Sequence, residues 1–175
     1  MTGTASSILS AWSNFYVMVG SSAAALTGLM FVVITLVSGS GRRVGNGNGI
    51  AAFSTPIVMH FTAVLLVSAV LIAPWGSLLR VGVVVALVGL CGLAYILRAA
   101  HRTWRLTAYR ADFEDWVWFT ILPVVAYGAI IASAIVLRAV PVQALFGLAG
   151  SVILLIVIGI RDAWDIVTYL AVQRP

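Results

Sequence analysis

The chain has 175 residues, of which 62% are hydrophobic and 9% charged, with a mean hydropathy of +1.13. A soluble domain is about 45–50% apolar and about 25% charged, so this chain cannot cover a globule with polar surface, and its solvent has to be lipid. The net charge of +5 comes from ten arginines against five acids, with no lysine.

In lipid only helices and closed barrels satisfy every backbone donor and acceptor. The apolar runs here are longer and more continuous than the alternating strands of about ten residues that build a barrel. The expected fold is therefore all-α, an integral membrane bundle forming a single transmembrane domain. Spanning a hydrocarbon core about 30 Å thick takes about 20 apolar residues, and five segments qualify.

Residues 1–14 carry no basic side chain, so the cationic start of a cleaved signal peptide is missing and the first span is expected to be retained. That span, Phe15 to Val37, holds Gly20, Ala24 and Gly28 at spacings of four. Small residues at this spacing let helix backbones approach closely. The row suits ordinary packing within the chain, an interface between copies in a homo-oligomer, or the lining of a narrow pathway. A polar, glycine-rich loop with Arg42 and Arg43 follows.

The second span, Ile50 to Ala73, contains His60 about 15 Å from its start at a rise of about 1.5 Å per residue, close to the bilayer centre. An intramembrane ionisable residue points to a proton relay, a metal or haem ligand, or a pore-lining group. The alternative is a neutral imidazole hydrogen-bonded to a Ser, Thr, Tyr or carbonyl of a neighbouring helix. Pro56, one turn earlier, removes a helical hydrogen bond and frees the Ala52 carbonyl. Such an interrupted, locally polar helix is the kind of element that forms transporter sites.

Pro74 to Ser77 is a tight turn into the third span, Leu78 to Ala100, where Cys91 has no partner cysteine and is expected to pack as a small apolar residue. Arg98, His101, Arg102 and Arg105 then recur at helical spacing around Trp104, a pattern suited to anionic lipid headgroups and needing no nucleic acid. His101 lies about 15 Å from His60 in depth, which argues against a haem held between the two within one chain. Asp112, Glu114 and Asp115 open the fourth span, Trp116 to Leu137. Acids at a helix N-terminus complement its dipole. They would also form an acidic mouth drawing cations toward Tyr127 in that span. After a turn at Arg138 to Pro141, the fifth span, Val142 to Ile160, continues as an amphipathic extension to Leu170 that carries Asp162 and Asp165. These two acids suit a salt-bridged belt, or an entrance for cations or protons, because acids three apart can share one.

When loops alternate between faces, eight arginines fall on one face and only Arg80 and Arg138 on the other. Basic loops stay cytoplasmic, which predicts an outer N-terminus and a cytoplasmic C-terminus. The lysine-free, Ala-, Gly-, Val- and Arg-rich composition fits a GC-rich bacterial genome, and with it the bacterial cytoplasmic (inner) membrane.

The segments Phe15 to Leu29 and Gly159 to Tyr169 resemble those of an uncharacterised family of small bacterial multi-pass membrane proteins, a resemblance that implies no activity and transfers no site residues. A second similarity joins Ala25 to Val33 and Ala51 to Ser54 to the first two spans of Orai calcium channels. No acidic residue stands at the outer end of the first span here, and the expected orientation is reversed.

No phosphate-binding glycine loop, HExxH, GxSxG or assembled Ser-His-Asp set occurs, so an enzyme is not expected, nor a metal or other cofactor. The expectation is a homo-oligomeric channel or transport protein for protons or a small cation. It would use His60 and Tyr127 inside the membrane and Glu114, Asp115, Asp162 and Asp165 at the cytoplasmic mouth. The alternative is a non-catalytic interaction or assembly subunit of a larger membrane complex.

Overall fold

The computed structural model describes residues 2–39, 48–105 and 116–172, with side chains described for 7–35, 56–101, 116–165, 167 and 168. Among these residues the chain is all helical apart from its turns. Five helices run in order: α1 (Thr2–Gly39), α2 (Asn48–Ile72), α3 (Leu78–Arg105), α4 (Val117–Val136) and α5 (Pro141–Val172). The glycine-rich loop expected over residues 39–49 is helical at its ends, Gly39 closing α1 and Asn48 and Gly49 opening α2, while residues 40–47, Glu114 and Asp115 lie outside the described residues.

Four stretches, Ser7–Thr35, Leu78–His101, Val117–Val136 and Pro141–Asp165, are long and apolar enough to cross a membrane, and α2 adds the apolar stretch Pro56–Ile72. Large apolar side chains also point outward around the bundle, among them Met18, Phe31, Leu87, Ile135 and Phe146. A water-soluble protein of this size rarely exposes so much contiguous apolar surface. These helices and this surface fit a multi-pass membrane protein.

The helices alternate in direction. Gly82, Gly89 and Gly92 of α3 lie against Ala134, Ile130 and Tyr127 of α4 in reverse order, so the two are antiparallel. Gly147 and Arg161 of α5 meet Ser133 and Trp118 of the α4 segment in the same reversed sense. Helices α2 to α5 form the body of the bundle, and α1 lies along α2 and α5 with most of its surface outward. One hydrogen bond ties α1 to α5: the buried Tyr16 hydroxyl donates to the Leu145 carbonyl at 3.1 Å. Around it Trp12 stacks edge-on against Phe146, with ring centroids 4.7 Å apart.

Two local features depart from the expected boundaries. Helix α1 begins at Thr2, ahead of the apolar run expected from residue 15. Its first turns tolerate serine because the Ser10 and Ser13 hydroxyls bond back to the Ser7 and Ser10 carbonyls, leaving Leu9 free to pack into the core. The fourth span opens with a π-helical turn, Val117–Ile121, in which the Leu122 N–H donates five residues back to Val117. Pro123 follows at once and has no N–H to offer, so the regular α ladder cannot run through this point.

The hydroxyls that face outward are satisfied by their own helices. Ser22, Thr27 and Thr35 each bond to the carbonyl four residues earlier, at 2.8 Å.

A Cβ on Gly82 would stand 2.7 Å from the Ala134 carbonyl oxygen, and that backbone cannot move aside cheaply. Gly150 has open space around it. Gly82→Ala is therefore expected to cost about 1–3 kcal/mol by overpacking. Gly150→Ala should leave stability unchanged or raise it by up to about 1 kcal/mol. Thermal unfolding of both variants in mild detergent checks this, and equal losses would refute the close α3–α4 approach.

Candidate functional site

His60 stands midway along α2, which places it deep in the bundle. Its side chain is 1% exposed and Tyr127 of α4 is fully buried. The two meet: His60 Nδ1 and the Tyr127 hydroxyl are 3.0 Å apart. In the tautomer with its proton on Nε2 the imidazole accepts from the hydroxyl, and in the other it donates. Both were expected separately as polar stations on different spans, and the fold joins them in one hydrogen bond.

The pair depends on glycine. Gly92 of α3 lies under the Tyr127 ring, and a methyl group there would overlap Cε1, so only glycine leaves the ring its place. On the other side Gly159 of α5 admits the Phe61 ring, whose Cε1 would be 2.5 Å from an added Cβ. Phe61 follows His60 directly, so this contact sets the register between α2 and α5 at the level of the pair. Neither glycine role was recognised in the sequence, although Gly92 sits in an evident run of small residues.

Asp162 and Asp165 do not act as one unit. Asp162 is 1% exposed, faces the bundle interior, and neither carboxyl oxygen has a hydrogen-bond partner. The Asp165 side chain is 46% exposed and forms an ion pair with Arg161, one turn earlier, at 3.6 Å. Three residues on a helix rotate by about 300°, enough to separate an inward from an outward position at a bundle's edge. The Arg161 guanidinium also lies over the Trp118 ring, 4.4 Å from its centre. The salt-bridged belt expected of these acids is met in part, by the Arg161–Asp165 pair within α5. Arg98 and His101 are exposed, and the side chains of Arg102 and Arg105 lie outside those described.

The Gly20, Ala24 and Gly28 row is split. Gly20 faces α2, where a Cβ would come within 2.9 Å of Ser68 Cβ, whereas Ala24 is exposed and Gly28 has open space around it. Each step of four turns the row by about 40°, so its two ends differ by about 80° and cannot serve one contact. Cys91 is exposed on α3 instead of packed inside.

Alongside α1, α2 and α5 runs an apolar groove of about 220 Å³, with Leu29, Met30, Phe61 and Trp164 among its walls. No group of three or more His, Cys, Asp or Glu that could hold a metal ion occurs among the described residues. Comparison with known protein families, with curated proteins and with solved structures finds no match.

If His60 and Tyr127 hold one another, Tyr127→Phe leaves a buried ring nitrogen unpaired and is expected to cost about 1–3 kcal/mol. Removing His60 as well should show a coupling of about 0.5–3 kcal/mol in a double-mutant cycle of thermal unfolding. Strict additivity would rule the bond out.

Proposed function

We propose that the protein is a homo-oligomeric membrane transport protein or channel whose transported species is the proton, in preference to a larger hydrated cation. The observation that carries this reading is the buried His60–Tyr127 bond in the middle of the bundle. Intramembrane ionisable groups are costly to keep without a function. A neutral imidazole carries a donor on one ring nitrogen and an acceptor on the other, and can pass a proton from one side to the other. A hydrated cation needs an open, polar-lined space, whereas a proton needs only groups that exchange hydrogen bonds, and the pair is closed on all sides by packed side chains.

In this reading all five helices cross the bacterial cytoplasmic membrane, with the N-terminus outside and the C-terminus inside, following the eight-to-two partition of arginines. Asp165, Glu114 and Asp115 stand at the cytoplasmic mouth, and Arg98, Arg102 and Arg105 meet anionic headgroups. The outward face of α1 around Ala24 and Gly28 is the surface for a second copy, since the small residues there meet no partner among the described residues. That same unpartnered face also supports the second reading, an assembly subunit of a larger membrane complex.

Two measurements test the proposal. Proteoliposomes containing a pH-sensitive dye should acidify under a potential, with flux reduced to the level of protein-free vesicles by His60→Ala and strongly lowered by Tyr127→Phe. Flux that ignores both changes removes the pair from the mechanism, and absence of flux removes transport. For orientation, a membrane-impermeant maleimide on intact cells should label Thr4→Cys and reach Gln173→Cys only after lysis, in a Cys91→Ser background. The opposite pattern would invert the topology.

A further inference from the structure

We infer that Asp162, and not the exposed acids around it, is the proton-binding carboxyl of the pathway, taking up and releasing a proton inside the bundle on the cytoplasmic side of the His60–Tyr127 pair. The inference rests on the transport reading above and deepens it.

Three observations converge. The Asp162 side chain is 1% exposed and neither oxygen accepts a hydrogen bond from any described residue. A buried carboxyl is ordinarily retained only with partners, because an ionised group in an apolar surround is expensive and an unpaired polar group is costly even when neutral. The neutral, proton-carrying acid is the cheaper form to keep there. Secondly, the site lies within about a helical turn of the pair's level in the bundle. Gly159 meets Phe61, and Asp162 lies about 4.5 Å further along α5, one turn beyond the point where α5 touches the residue next to His60. Thirdly, Arg161, the cation beside it on α5, lies over Trp118 and pairs with Asp165, so its charge is shared between the two acids and it gives neither Asp162 oxygen a hydrogen bond.

Among the described residues the titratable groups on the surrounding helices are few, and α3 contributes Tyr95, which faces Tyr127 electrostatically. Helix α2 offers His60, α4 offers Tyr127, and α5 itself offers Arg161 and Asp165, while Arg98 of α3 is exposed and Tyr16 of α1 sits at the other end, against Leu145. A metal would need several oxygen or nitrogen ligands, and no such group is present among the described residues. A proton needs one. The π-helical turn Val117–Ile121, packed against this level of α5 through Trp118, interrupts the regular ladder where such a site would open and close.

Dicyclohexylcarbodiimide is an apolar reagent for protonated carboxyls within membranes. The carboxyl oxygen adds to the central carbon of the carbodiimide and its proton goes to one nitrogen; the acyl group then migrates from oxygen to nitrogen, leaving an N-acylurea with nothing released. Incubation of the full-length protein in proteoliposomes should place one such adduct on Asp162, located by fragmentation of the peptide that follows Arg161. Proton flux should fall in step with labelling. Asp165→Asn should keep the adduct on Asp162, and Asp162→Asn should lose the adduct and the flux while its thermal midpoint stays close to that of the parent.

A water-soluble carbodiimide should label Asp165 in preference. An adduct on Asp165 instead of Asp162 in the parent protein, which needs no variant to fold, overturns the inference. So does parent-level flux in Asp162→Asn, and that outcome leaves the transport reading standing. Absence of flux from the parent protein itself overturns the transport reading and the role of Asp162 together, and is told apart because no variant is involved.

Discussion

The closeness of α3 to α4 is the constraint on which the interior depends. Glycines at positions 82, 89 and 92 of α3 let the backbone and side chains of α4 come within distances that a Cβ would forbid. Within a bilayer no hydrophobic driving force pulls helices together, because lipid tails are as apolar as leucine, so contact has to come from packing and interhelical hydrogen bonds. Gly92 supplies both. It seats the Tyr127 ring, and a seated ring carries its hydroxyl to His60 on α2. Gly159 does the corresponding work from α5 by receiving Phe61. Two glycines on two helices thereby fix the orientation of two side chains on two others.

Polar groups divide by how they are satisfied. On the outward face, Ser22 and Thr35 bond to their own helix and ask nothing of a neighbour. Inside, Tyr16 and Tyr127 bond across helices and hold them together. Asp162 and Ser68 remain, buried and unpartnered. Ser68 lies against Gly20, where a small hydroxyl fits a close helix crossing at the modest cost of one unpaired oxygen. The same explanation does not extend to Asp162, whose carboxyl is larger and ionisable, and for which packing alone would favour an apolar residue.

The helices were legible because lipid sets their length: an apolar run of about 20 residues has one structural solution in a bilayer. The facing of each helix was not. In water an apolar stripe marks the inside, but here Met18 and Ile135 point outward while Val64 and Ile57 are fully buried, and the four are chemically alike. The i to i+4 row of Gly20, Ala24 and Gly28 was for that reason read as one face, although the helix turns it across two. Nor does propensity announce the π-helical turn that precedes Pro123 in α4.

What the sequence did mark are the interior polar residues, since in lipid hydrophobicity loses its directional meaning and polarity gains one. His60, Tyr127 and Asp162 all turn inward, but only His60 stood out as a side chain expensive to place in hydrocarbon; Asp162 reads in the sequence as one of two interfacial acids, and the fold alone shows it buried. The rule also sorts Asp162 from Asp165, which the sequence presents as equivalents. Asp165 keeps an exposed carboxylate beside Arg161 and needs no burial to be stable. Asp162 is held in the interior by the fold with neither carboxyl oxygen hydrogen-bonded by a described residue, the reverse of the arrangement at Asp165, so two acids three residues apart on one helix meet opposite environments.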